Sequence, residues 1–180
     1  MKLALIAAVV LFIAVIVVLA IAAAKPDKIS VERSSLIRAP RASVFALIND
    51  FHNWSQWAPQ DRDDPSIVRT FSGASAGVGA VSEWTSRGSA GAGRMQIILS
   101  KPDTEIEVHV DFHKPFVAHN INHFTLRAEG DETRLTWSMT GTNVFLMKLM
   151  SVFMNSDRML GRHFEQGLSN LQASAAREMR

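Results

Sequence analysis

The chain has 180 residues, no Cys and no Tyr, and its 19 Lys and Arg nearly balance 17 Asp and Glu. The lack of Cys excludes disulfides and thiol chemistry. Apart from Lys2, every one of those charges lies beyond residue 24, so the remaining chain is close to neutral and carries no basic excess to mark a nucleic-acid face.

From Leu3 to Ala24 there is no charged or polar side chain, no Gly and no Pro. As a helix this run reaches ~33 Å, against a bilayer hydrocarbon core of ~30 Å. A cleavable signal peptide is the competing reading, with Lys2 as its basic start and Ala22 to Ala24 as small residues for cleavage. The apolar run exceeds the ~7–15 residues of a signal h-region. Residues 1–24 are therefore expected to be a retained single-pass anchor, 25–28 a short linker, and 29–180 one domain held close to the membrane surface. The orientation signals conflict. Lys25, Lys28, Arg33, Arg38 and Arg41 follow the helix, which favours a cytoplasmic domain. The two-residue tail before it favours export, and an exported domain is the expectation adopted.

Ile29 to Arg38 reads as a strand, stopped at Ala39-Pro40. Pro40 can open a helix, where its missing N–H costs nothing. That helix carries Val44, Phe45, Leu47 and Ile48, and Asp50 is placed to cap a second short helix with Phe51, Trp54 and Trp57. The charged stretch Pro59 to Pro65 reads as a loop. Six short alternating runs follow, at Ile67–Ser72, Val78–Ser86, Arg94–Ser100, Glu105–His113, Asn120–Glu129 and Arg134–Thr140. Turn residues separate them, which predicts an antiparallel sheet. From Asn143 the period becomes helical. A final helix over about Asp157 to Arg177 places Leu160, Phe164, Leu168, Leu171 and Ala175 on one face, with Gly167 beside it. The fold class is α+β: an N-terminal apolar helix, then a curved antiparallel sheet of about seven strands, two short helices and a long C-terminal helix that must bury its apolar face on the sheet.

Several local strings carry a family likeness in their order and spacing. They are Asp50-Phe51-His52-Asn53-Trp54 with Trp57, Gly77-Val78-Gly79-Ala80 with Trp84, Gly91 to Met95, Thr133 to Met139 with Gly141, and Lys148 to Met159 with Phe164-Glu165. Together they resemble the polyketide cyclase/dehydrase branch of the START-related (SRPBCC, helix-grip) superfamily, over roughly Ile29 to Leu171. The resemblance implies a helix-grip fold and a hydrophobic ligand held between sheet and helix. No cofactor is expected.

Strand parity selects the inner face. A hairpin turn centred on Phe116 sets Ile106 opposite Leu126, Val108 opposite Phe124, and Glu105 opposite Arg127 as a cross-strand charge pair. Ile106, Val108, Val110, Phe112, Phe124 and Leu126 then point inward. The same alternation places Leu135, Trp137 and Met139 inside. Ala80, Ser82 and Trp84 share one face of their strand, and Met95, Ile97 and Leu99 share one of theirs. Trp54, Trp57, Phe153, Met154 and Phe164 are expected at the ends of the hollow. The candidate pocket is thus Trp54, Trp57, Trp84, Met95, Val110, Phe112, Phe124, Trp137, Met139, Phe153, Met154 and Phe164. Met and Trp linings suit irregular apolar ligands. Taken singly, each of these residues is also what an ordinary core contains.

The sharpest polar constellation is His109, His113, His119 and His123, which the same register pairs as His109 with His123 and His113 with His119. Opposed Cβ atoms lie ~4.5–5.5 Å apart, within reach of a shared metal ion. Glu105, Glu107, Thr125 and Arg127 share that face, which makes it a solvated outer surface, and no metal site is assigned. Gly73 to Gly79 and Gly88 to Gly93 precede no helix and supply no Lys-Ser/Thr pair, so they read as turns and not as a phosphate cradle. No Ser sits in a nucleophile elbow. Parity places no carboxylate or His on the inner face, and Asp50 and His52 reach at most its mouth, so no catalytic residue is assigned. The expected function is a membrane-anchored binding protein for an apolar small molecule such as a lipid, quinone or isoprenoid-like compound. The alternatives are an enzyme of the cyclase/dehydrase type and an accessory subunit with a partner in a membrane complex.

Overall fold

A computed structural model describes residues 2–153 and 156–178. Helix α1 (Lys2–Ala23) leads into β1 (Lys28–Ile37). Next come α2 (Arg41–Asn49), a 3-10 turn (Phe51–Gln56), α3 (Pro59–Asp63), β2 (Val68–Gly73) and β3 (Ala80–Thr85). The rest is β4 (Ala92–Lys101), β5 (Glu105–Lys114), β6 (Ala118–Glu129), β7 (Glu132–Thr142), α4 (Phe145–Phe153) and α5 (Ser156–Glu178). Every strand lies within two residues of its expected bounds. The sheet is antiparallel throughout, in the order β1-β7-β6-β5-β4-β3-β2, with β1 and β2 as edges. Helix α1 has the length and apolarity of a membrane span, a test that a signal sequence also passes.

The local chemistry explains the crowded turn after α2. The last four carbonyls of a helix have no partner within it. Here each finds one: Asn53 Nδ2 donates to Ala46 O (3.2 Å), Trp57 Nε1 to Leu47 O (3.0 Å), Trp54 Nε1 to Ile48 O (2.9 Å), and the Gly77 N–H to Asn49 O (2.9 Å). Asp50 caps the 3-10 turn, accepting from the His52 N–H at 2.9 Å. Trp54 and Trp57 are thereby buried with both indole N–H groups satisfied. They form one aromatic cluster with Phe124, Trp137 and Phe164 beneath the sheet.

Four expectations need correction. Pro59 to Asp63 is helical, not a loop: Pro59 sits in the first turn, where proline fits, and the Asp64 N–H bonds back to Gln60 O. There are consequently three short helical segments before β2. The β5–β6 register pairs Ile106 with Phe124, Glu105 with Thr125 and Phe112 with Ala118, two residues from the expected alignment. Lys114 pairs instead with Ala92 of β4, so the hairpin closes through five residues, 113–117. An even shift leaves the inward face unchanged. Finally, a β-bulge between Ile97 and Leu99 reverses the alternation in β4, so Leu99 pairs with outward-facing Glu107 and leaves the face of Met95 and Ile97.

Candidate functional site

A cavity of about 390 Å³ lies between the inner face of the sheet and α5. Its deep wall is apolar and comes from Trp54, Trp84, Met95, Val110, Trp137 and Met139, all buried. Phe164 closes it from α5, stacked on Trp137. Phe112 meets Trp84 edge to face at 5.4 Å. Ile29, Met147 and Leu160 bring β1, α4 and α5 to the side nearest α1.

Eight sequence-selected residues therefore line the cavity: Trp54, Trp84, Met95, Val110, Phe112, Trp137, Met139 and Phe164. Trp57 and Phe124 are fully buried behind it, packed into the aromatic cluster with no face on the lining. Phe153 points away, 74% exposed at the end of α4. Met154 lies outside the described residues. The histidines do not converge. With the register moved by two, His109 faces Ile121 and Asp111 faces His119. His119 Nδ1 lies 2.6 Å from Asp111, and His123 Nε2 lies 2.7 Å from Glu105, so each imidazole has a separate carboxylate. Among the described residues no group of His, Asp or Glu has the arrangement of a metal site.

The lining also has a polar part that parity reasoning left out. Asn122 accepts from Trp137 Nε1 at 3.1 Å, and its amide nitrogen has no partner among the described residues. Asn120 lies beside it on the same face of β6. Their inward direction follows from the alternation that selected Phe124 and Leu126, carried four residues further back. On the opposite wall Arg69 grips Asp61, with Nε 3.0 Å and Nη2 2.7 Å from Oδ1, and donates from Nη1 to Ser82 Oγ at 3.1 Å. Both members of this pair are at least 90% buried, and the guanidinium lies 5.9 Å from the Trp84 ring centroid. Nothing in the sequence announced this pair, because α3 reads as a loop and β2 is a largely exposed edge strand.

Asp64 organises the rim. Its carboxylate accepts from Ser66 Oγ (2.6 Å), Ser86 Oγ (2.5 Å), the Ser66 N–H (3.0 Å) and the Ala90 N–H (3.3 Å). The Ser66 and Ser86 hydroxyls, followed by these backbone donors, hold its pKa down to about 2. A Cβ at Gly88 would strike this carboxylate, so Gly is required for the 86–91 loop to fold over it. His163 lines the same side, 3.2 Å from Gln60 Oε1. Burial pushes its pKa below the usual imidazole value, against the opposing field of Asp63, so the ring is neutral at pH 7.

A curved antiparallel sheet gripping a long C-terminal helix, with a hollow between them, defines a helix-grip protein of the START-related type. Residues 28–176 match the family model described as polyketide cyclase / dehydrase and lipid transport, and the chain belongs to that family. Solved structures agree in fold. Protein CV1439 from Chromobacterium violaceum is 16% identical with a TM-score of 0.59, over 84% of this chain and 98% of that one. Ara h 8.0201 is 13% identical with a TM-score of 0.58, over 83% and 98%. The di-domain ARO/CYC StfQ from the steffimycin biosynthetic pathway is 10% identical with a TM-score of 0.62, over 84% of this chain and 52% of its own. At these identities the likeness is one of fold. No curated protein matches the chain in sequence.

Proposed function

We propose that the domain is a membrane-tethered binding protein for an apolar small molecule carrying one or two oxygen functions, such as a lipid, a quinone or an isoprenoid-like compound. The single observation behind this reading is the 390 Å³ hollow, whose deep wall is mostly aromatic and thioether while Asn122 and the Asp61-paired Arg69 place polar groups at two points of its lining. Ligand sites run ~300–1,000 Å³ and combine apolar walls with a few placed polar groups. Burying ~200 Å² of apolar ligand surface at ~25 cal/mol/Å² gives ~5 kcal/mol before association costs. That is enough for a carrier without chemistry. The apolar α1 supports the tether, since a ligand that partitions into a bilayer is most concentrated beside it.

Native mass spectrometry of the full chain released from detergent, followed by organic extraction, tests this. A co-purifying apolar compound lost on Met139→Trp supports the reading. An empty protein that takes up no added ubiquinone or fatty acid sinks it. A cyclase/dehydrase-type activity is the second reading, favoured by one observation: His163 is a neutral base on the cavity wall. Conversion of a bound polyketide-like substrate that stops in His163→Gln, while binding persists, would select it.

A further inference from the structure

The strand register sorts the molecule into two ends. Lys28 pairs with Thr142, Gly141 with Asn120, Ala118 with Phe112, Lys114 with Ala92, Ala92 with Thr85, and Thr85 with Val68. All these residues therefore lie at one end of the sheet, which is also where α1 joins β1. The connections there are the 86–91 loop, the 113–117 hairpin loop, and the passage from β7 into α4. The exposed members of the cavity lining, Asp63, Ser89 and Thr142, sit at this same end, so the mouth opens towards the root of α1.

The apolar surface is concentrated there too. Helix α4 is inverted relative to an ordinary surface helix. Its one charged residue, Lys148, is buried and paired with Asp27 of the linker. At ~100° per residue, Phe145, Leu149, Phe153, Leu146 and Met150 form one continuous arc of ~140°. Four of these five are 43–74% exposed. Across the mouth, the hairpin tip presents Phe116 and Val117, the latter 62% exposed, and Met159 adds a third point at the start of α5. Lys28, Arg87 and Lys114 are exposed at the same end.

The linker does not leave α4 free to turn elsewhere. Lys25 Nζ donates to Ser151 O at 2.6 Å, Asn143 Nδ2 to Pro26 O at 3.0 Å, and the Asn143 N–H to Asp27 O at 2.8 Å. Ala22, near the end of α1, is completely buried. The apolar arc is thus held in a fixed pose relative to the linker that follows α1.

We propose that this end of the domain is seated in the bilayer interface. The apolar arc of α4 and the Phe116–Val117 tip lie below the headgroups, Lys28, Arg87 and Lys114 lie at headgroup level, and the cavity mouth faces the lipid. The proposal rests on α1 being a membrane span. An amphipathic surface this close to a span inserts its apolar face into the interface because the tether has already removed the entropic cost of association. The cavity then loads from the lipid phase without its ligand crossing water.

The chain has no Cys, so single spin labels can be placed on the full protein in vesicles of phosphatidylcholine with phosphatidylglycerol. The labelled variants are Val117→Cys, Phe153→Cys, Val78→Cys at the far end of the sheet, and Ile13→Cys at the middle of α1. Relaxation by oxygen over relaxation by a water-soluble nickel chelate reads depth. The expected result is oxygen-dominated relaxation at positions 13, 117 and 153 and nickel-dominated relaxation at 78. Nickel-dominated relaxation at 117 and 153 with position 13 still in lipid overturns the seating and leaves the tether standing. Nickel-dominated relaxation at 13 overturns both. Dipolar broadening at 153 that disappears on dilution with lipid would mean that a second copy covers the arc, and overturns the proposal as well.

Discussion

Trp137 on β7 and Phe164 on α5 stack face to face, their centroids 4.1 Å apart and their planes 6° from parallel. This contact joins sheet to helix at the floor of the cavity. Gly167 makes it possible: a Cβ there would stand 2.6 Å from the Trp137 ring. Trp137→Ala removes the stack and the bond to Asn122, and is expected to lower stability by about 3–5 kcal/mol. Gly167→Ala is expected to lower it by about 1–3 kcal/mol through overpacking, although helix propensity alone favours Ala by about 1 kcal/mol. Denaturant unfolding followed by circular dichroism measures both. A Gly167→Ala chain more stable than the parent would show that α5 is free to move off the sheet.

Filling the hollow should separate binding from folding. Val110 is 4% exposed and lines the cavity from a central strand. Val110→Phe places additional ring atoms in open space instead of in packed core. Retention of a co-purifying or added apolar ligand should fall at least tenfold, a change of about 1.4 kcal/mol, with little shift in Tm. A large drop in Tm with binding intact would mean that the space is not available to a ligand.

Asp64 predicts an acid-labile rim. Its folded pKa, about 2, lies below the ordinary 3.8, so the folded state binds this proton more weakly than the unfolded chain does. The associated stability is present above about pH 4 and is lost as pH falls towards 2. In Asp64→Asn that loss should be missing. The readout is the difference in Tm between the two chains from pH 5 to pH 2, together with faster amide exchange in the 86–91 loop of the variant. Parallel curves across this range would remove the carboxylate from its assigned role.

His163 behaves in the same sense at higher pH. Burial lowers its pKa below 6.5, so protonation opposes folding, and the neutral ring contributes stability above pH 6.5 that declines as pH drops below that value. An imidazole carbon resonance of His163 should titrate with a midpoint below 6.5. The Tm of His163→Gln should fall less than that of the parent chain between pH 7 and pH 5. A midpoint at or above 6.5 would show that the Asp63 field outweighs burial.

Much of the architecture was legible because hydrophobic alternation reports parity directly. Counting in twos along the strands puts Trp137, Met139, Val110 and Met95 inward. Parity does not determine register, since a shift of two residues keeps every side chain on its face. The β5–β6 alignment was set by the 113–117 loop and by Lys114 pairing to β4, neither of which leaves a pattern in the sequence. The bulge that turns Leu99 outward is similarly silent. The polar lining was missed for two reasons. Asn120 and Asn122 obey the alternation, but a polar side chain at an inward position carries no apolar signal that would mark it as part of a lining. Asp61, Asp63, Arg69 and His163 come together only through tertiary packing of α3 against β2 and α5. Phe153 misled because a helical apolar residue is normally read as facing the core, and in α4 the exposed side is the apolar one.

The passage from α1 into the domain is fastened at Lys25, Pro26 and Asp27, each held by a group on or just before α4. Such a joint transmits torque. A domain on a slack leash could swing freely about that helix, whereas this one keeps a constant pose over its root. Rotation or tilt of the apolar helix would then be relayed through α4 to the rim of the hollow, so the two would move as a single lever.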